Sequence, residues 1–148
     1  MPLTATLKTL PLWMQLQNCA TPAQLAMVDE LTAYAAGVLE TVRDTFPTYT
    51  LHNHVHAENV VRLMGELLGA EQIKRLTGLE AAMLILSAYW HDVGMAYSET
   101  ERAALTKDPL WPQFLHEHPR ARIRMHEHGT ADPPDDTAEW YCRWAHAE

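Results

Sequence analysis

Apolar residues recur along this chain at intervals of three and four, and almost nowhere at intervals of two. Leu25, Val28, Leu31, Ala35, Val38, Leu39 and Val42 put one apolar stripe on a helix over residues 21–46. Thr21 and Pro22 suit its start, as a cap residue and a proline in the first turn, and Pro47 stops it. A second helix fits 53–69, with Val60, Val61, Met64, Leu67 and Leu68 inward and Gly69 at its end. Residues 71–76 allow one short turn. Residues 79–92 form the most apolar helix, "LEAAMLILSAYW" followed by His91-Asp92, and Gly94 closes it. Ser98-Glu-Thr-Glu101 is a capping box for a short helix near 99–107. Asp108, read as a cap before Pro109, opens a piece to about His116. Pro119 starts another, ending near His128-Gly129. "TADPPDD", 130–136, is a loop, and Asp135 or Asp136 caps a last helix that runs to the end.

No stretch sustains period two, and there is no Asn-Gly or Asp-Gly turn. The expected fold class is therefore all-α, a helical bundle. Residues 1–20 are read as an N-terminal segment, weakly helical because of Pro2 and Pro11, and 21–148 as one helical domain. No internal repeat or low-complexity tract interrupts it.

A chain of 148 residues, 47% hydrophobic and 20% charged, can build one ordinary core. Its net charge of −8 argues against a duplex nucleic-acid binder, which would carry a basic patch. A nucleotide substrate stays open, because a bound divalent cation can supply positive charge. No run reaches the ~18 apolar residues a membrane span needs. The start lacks the basic region and apolar core of a signal peptide. Cys19 and Cys142 form no CxxC pair and read as reduced thiols, so a cytoplasmic location is expected.

Nine histidines are unusual for this length, and they cluster: 52, 54 and 56; 91; 116, 118, 126 and 128; 146. A single histidine is most often a surface or satisfied core residue, but clusters change the balance. His52 and His56 are four apart and share a helix face, whereas His54 points elsewhere and is read as a bystander. The polar pair His91-Asp92 ends the most apolar run, where burial is costly unless something satisfies both groups. An imidazole beside a carboxylate suits a divalent ion, and Gly94 lets the backbone turn away. His116, His126 and His128 read as surface residues. Arg120, Arg122 and Arg124 make either a solvated helix face or a phosphate clamp. A plainer reading is a helical interaction domain, with Trp13, Trp90, Trp111, Trp140 and Trp144 as core or interface anchors.

"HAENVVRLM" (56–64) followed by "LILSAYWHDVGMAYSETE" (84–101) resembles the HD superfamily of metal-dependent phosphohydrolases. The string "FPTYTLHNHVHAENV" resembles a branch with a YT-x-H-x-x-x-H pattern. That branch occurs as a module ahead of other domains, chaperone-type ATPase modules included, in larger bacterial proteins. The resemblance implies that His56, His91 and Asp92 hold a divalent ion, one of Mn, Mg, Fe, Ni, Co or Zn. It implies catalytic roles for Asp92, His52 and His118, the last matching an "HP" string. Arg120, Arg124 and His146 would bind substrate, His146 matching an "R-x-x-H" string. The substrate would be a phosphorylated small molecule such as a nucleotide, hydrolysed by metal-activated water.

One departure bears on activity. The family's final ligand is an Asp on a later helix, yet Asp108, Asp132, Asp135 and Asp136 stand on no apolar helical face. The chain also ends mid-helix at "YCRWAHAE", which reads as a domain cut short, with further domains beyond. Trp140, Tyr141 and Trp144 would then be exposed, and the isolated chain would hold metal poorly or lack activity. The alternative reading is a non-catalytic HD-fold module that binds a nucleotide or a partner domain.

Overall fold

The computed structural model describes residues 6–45 and 53–146. Eight α-helices follow one another: α1 (Pro11–Cys19), α2 (Pro22–Thr45), α3 (His54–Ile73), α4 (Gly78–Trp90), α5 (Glu99–Ala103), α6 (Trp111–Glu117), α7 (Pro119–His128) and α8 (Asp135–Ala145). Short 3-10 turns occupy Leu7–Thr9, Val93–Met95 and Leu105–Lys107, and the described residues contain no strand. The expected all-α fold class is the one observed. The contacts divide the chain into two compact units, one drawn from residues 1–40 and 50–93, the other from 41–49 and 94–148.

The first unit has an aliphatic core. Leu12, Trp13 and Leu16 of α1 are buried with Ala57 and Val61 of α3 and Ala81, Ile85, Ala88 and Tyr89 of α4. α1, the segment of uncertain helicity in the sequence, packs against both α3 and α4. Alanine at 57, 81 and 88 leaves room for these backbones to approach. Burying one side chain such as Ile85 contributes about 1.5–3 kcal/mol. A polar fastening adds to the packing: the Gln15 amide donates to the Leu76 carbonyl at 2.7 Å, and more weakly to that of Lys74 at 3.4 Å. It ties α1 to the α3–α4 connection, whose carbonyls lie past the end of α3 and need donors. Gly78 is required where α4 starts, because a Cβ there would lie 3.0 Å from the Ala20 backbone nitrogen. Thr77 and Glu80 form a complete capping box. Gly69 ends the regular helix where the sequence places its stop. It makes a kink at φ 73°, and one more turn carries Ile73 into the core, 3.8 Å from where a Gly65 Cβ would stand.

The second unit has an aromatic core. Trp111, Phe114 and Tyr141 meet in pairs with ring centroids 4.9–5.4 Å apart, tilted or edge-on, the arrangement aromatic quadrupoles favour. Met95, Leu105, Ala121, Ala138 and Cys142 complete it. Burial pushes the Cys142 thiol up to about 12, so it is an inert core residue. The Ser98–Glu101 capping box is present, but α5 ends at Ala103, and a separate 3-10 turn buries Leu105. Asp108 does not cap α6. Its carboxylate accepts from the Leu110 amide at 2.9 Å in a turn before the helix starts at Trp111.

Two expectations for α8 also change. Pro134 holds the cap position without a side-chain bond, while Asp135 and Asp136 lie in the first turn. Asp135 pairs with Arg102, and Asp136 with Arg124 at 3.0 Å. The aromatic face expected to be exposed on α8 is largely covered. Tyr141 is fully buried, Trp140 and Trp144 are half-buried, and the Trp144 indole donates to Glu117 at 3.0 Å. The rings of α6 supply that cover.

Candidate metal centre

His91 caps the C-terminal end of α4, its amide bonded to the Ser87 carbonyl at 3.1 Å. Its ring Nδ1 lies 2.9 Å from the Ala88 carbonyl. A carbonyl only accepts, so Nδ1 carries the proton and donates, which leaves the Nε2 lone pair pointing away from the helix. This is the arrangement that prepares a histidine to be a ligand. Asp92, the next residue, is buried, with 8% of its side chain exposed.

The facing wall is the first turn of α3. Asn53 caps it, its side chain accepting from the His56 amide at 3.2 Å. His56 thus stands on a turn held by its own neighbour in sequence.

The three side chains converge. His91 Nε2 is 2.9 Å from Asp92 Oδ2, His56 Nε2 is 3.5 Å from the same oxygen, and the two Nε2 atoms are 3.4 Å apart. With metal–ligand bonds of roughly 2.0–2.2 Å, neighbouring ligand atoms stand about 2.8–3.1 Å apart at right angles and about 3.3–3.6 Å apart at tetrahedral angles. The observed separations fall in these two ranges. A single cation can bridge three ligand atoms at these spacings. The residues fit a divalent ion. His56, His91 and Asp92 are also the one such group among the described residues. Both imidazoles are about two-fifths exposed, so the group is open to solvent on one side. The burial of Asp92 explains why an apolar helix ends in His-Asp: the carboxylate faces two imidazoles and not the apolar core.

Other residues singled out in the sequence are placed elsewhere. His52 lies outside the described residues. His54 is not a bystander: its Nδ1 is 2.5 Å from Glu40 Oε1 of α2, and three-quarters of its side chain is buried. Beneath it lies the buried Glu58, whose carboxyl is pushed above its ordinary value by desolvation, partly offset by His54. The four-residue spacing of His54 and Glu58 is the signal that could have marked this pair.

His118, Arg120, Arg124 and His146 all belong to the second unit. His118 stacks on Phe114 at 4.8 Å and, with Arg120, Glu117 and Trp140, lines a cleft of 560 Å³. Arg124 is paired with Asp136 and Glu127. Exposed His146 packs at Gly94, where a Cβ would lie 3.2 Å from its own. His116, His126 and His128 are exposed.

A helical fold that brings one early histidine to a His-Asp doublet at the end of an apolar helix defines an HD-type domain. The chain belongs to the HD-CE family, whose model matches residues 46–148 and so includes all three converging side chains. No curated protein and no solved structure matches the chain. No helix among the described residues is long and apolar enough to cross a membrane.

Proposed function

We propose that this chain is a metal-dependent phosphohydrolase that acts on a nucleotide or related phosphoester. The convergence of His56 Nε2, His91 Nε2 and Asp92 Oδ2 within 3.5 Å carries the reading. Two imidazoles and one carboxylate favour a borderline ion such as Mn, Fe, Co, Ni or Zn over Mg, which prefers an all-oxygen shell. Such an ion lowers the pKa of a bound water toward neutrality and polarises a phosphoryl oxygen. The chain's own residues supply the setting. Ala88 holds the His91 ring in the tautomer that offers Nε2. Asp92 contributes the negative charge that retains a dication, and the exposed faces of His56 and His91 leave room for an incoming phosphate.

A second reading, a non-catalytic module that binds a nucleotide or partner, is favoured by one observation. Of the later aspartates that could complete the ligand set, three are engaged within the second unit: Asp108 with the Leu110 amide, Asp135 with Arg102, Asp136 with Arg124. One experiment separates the two. The protein is loaded with Mn or Co, and phosphate release is measured across a panel of nucleoside mono-, di- and triphosphates. Stoichiometric metal with turnover of any member supports the hydrolase. Nucleotide binding with no turnover of any member supports the binding module, and absence of metal uptake overturns the hydrolase.

A further inference from the structure

We infer that Glu40 of α2 is a positioning residue for the metal centre, acting through His54 to fix where His56 points. The inference rests on the metal reading of His56, His91 and Asp92 and extends it to a helix that supplies no ligand.

The two walls of the centre are not equally anchored. His91 and Asp92 follow directly on thirteen residues of helix, and the His91 ring is bonded to the helix itself. His56 is the third residue of α3, in a first turn whose amides have no partners from within the helix. Helix ends of this kind fray unless something outside holds them.

Among the described residues, two groups hold this one. Asn53 caps the His56 amide from the same strand of chain. Glu40 reaches in from α2: its Oε1 accepts from the His54 ring at 2.5 Å and lies 3.4 Å from the His54 amide, which points toward it. A carboxylate at a helix N-terminus is also favoured by the helix dipole. His54 is the first residue of α3 and His56 is two further on, so clamping His54 fixes the backbone from which the His56 ring projects. The bond to Glu40 gives the His54 ring a defined orientation.

The energy of an exposed ion pair is small, and Glu40 is two-fifths exposed. Its role is therefore geometric. Groups that orient a ligand from outside the coordination shell typically change metal affinity by about 10–100-fold when removed.

The test titrates Co(II) into the full chain and reads the visible d–d absorption together with the dissociation constant. Glu40→Ala and His54→Ala are each expected to weaken Co(II) about tenfold and to alter the d–d band. The double variant is expected to be no weaker than either single one, because both act through one contact. Glu40→Gln keeps an acceptor for the His54 ring and is expected to stay within about threefold of wild type. Gln15→Ala, which loosens the same unit at the α1 fastening, is expected to lower the melting temperature and leave the d–d band unchanged. The inference is overturned if Glu40→Ala leaves band and affinity as in wild type, if the two single effects add, or if Gln15→Ala shifts the band as Glu40→Ala does. Failure of the underlying metal reading looks different: wild type would show no saturable Co(II) band, or Asp92→Ala would bind Co(II) as wild type does.

Discussion

The two compact units both carry surface ion pairs, such as Lys8 with Asp29 and Arg62 with Glu66 in the first, but one of them adds something else. In the first, a buried carboxylate and two imidazoles converge on a common point, in a unit whose core is mainly leucine, isoleucine, valine and alanine with Trp13 and Tyr89. In the second, charged side chains settle into pairs: Arg102 with Asp135, Arg124 with Asp136, Arg143 with Glu139. Its core is built from aromatic rings. Paired surface charges are solvated and nearly neutral in energy. A converging set of two imidazoles and a buried carboxylate at metal-ligand spacing is a different matter, and it marks a candidate functional site. Both units carry clustered histidines, so histidine content does not separate them; geometry does.

The sharpest way to break the comparison is to remove one charge from each unit. Asp92→Ala should reduce Mn or Co uptake to background while far-ultraviolet circular dichroism keeps its helical amplitude. Arg124→Ala should leave uptake within about twofold of wild type and cost at most about 1 kcal/mol of stability, as expected for exposed pairs. Equal loss of uptake in the two variants, read by metal analysis after gel filtration, would erase the distinction.

The cores come next. Phe114→Ala removes a ring that touches Trp111, Tyr141 and Trp144 and should cost about 3–5 kcal/mol. Ile85→Ala in the first unit should cost about 2–5 kcal/mol. Urea unfolding followed by tryptophan fluorescence reads both. A loss below 1 kcal/mol at either position would mean that its core is not packed as described.

The smallest effect concerns a feature the units share. Glu80 and Glu101 each close a capping box, and the hydrogen bonds from Thr77 and Ser98 hold both carboxyls below their ordinary value of 4.5. A folded-state pKa below the unfolded one stabilises the fold above the unfolded value, and that stability is lost as pH falls through the folded value. Glu80→Gln and Glu101→Gln still cap but do not titrate, so each should flatten the acid limb of a melting-temperature profile taken between about pH 3 and pH 7. An acid limb identical to wild type in both variants would remove the boxes as a source of acid sensitivity.

The helices were legible in the sequence because their causes are local. Apolar spacing, prolines at the first turn and capping boxes act over four residues or fewer, and α2, α4, α7 and the Ser98–Glu101 box stand where these signals put them, while the Thr77–Glu80 box of the same spacing was missed. A boundary drifted where packing acted without a local signal: the helix read to about 107 ends at Ala103, and a separate turn buries Leu105. The His91-Asp92 doublet was also readable, since two polar residues at the end of an apolar run demand an explanation.

What only the tertiary structure decided is how His56, named as a ligand by family resemblance and by no local pattern, comes to meet that doublet and what holds it there. His56 reaches His91 and Asp92 because α3 packs on α4, a contact between residues 35 positions apart that no local pattern encodes. Glu40 meets His54 for the same kind of reason, and so the histidine that looked idle in the sequence acquired a partner. The later histidines and arginines show the converse. Their spacing resembled a phosphate site, but side-chain pairing inside the second unit engaged Arg124 with Asp136, because opposite charges that the fold brings close find one another first. Residue types and local periodicity set the helices and the candidates for chemistry, and long-range packing selected which candidates meet.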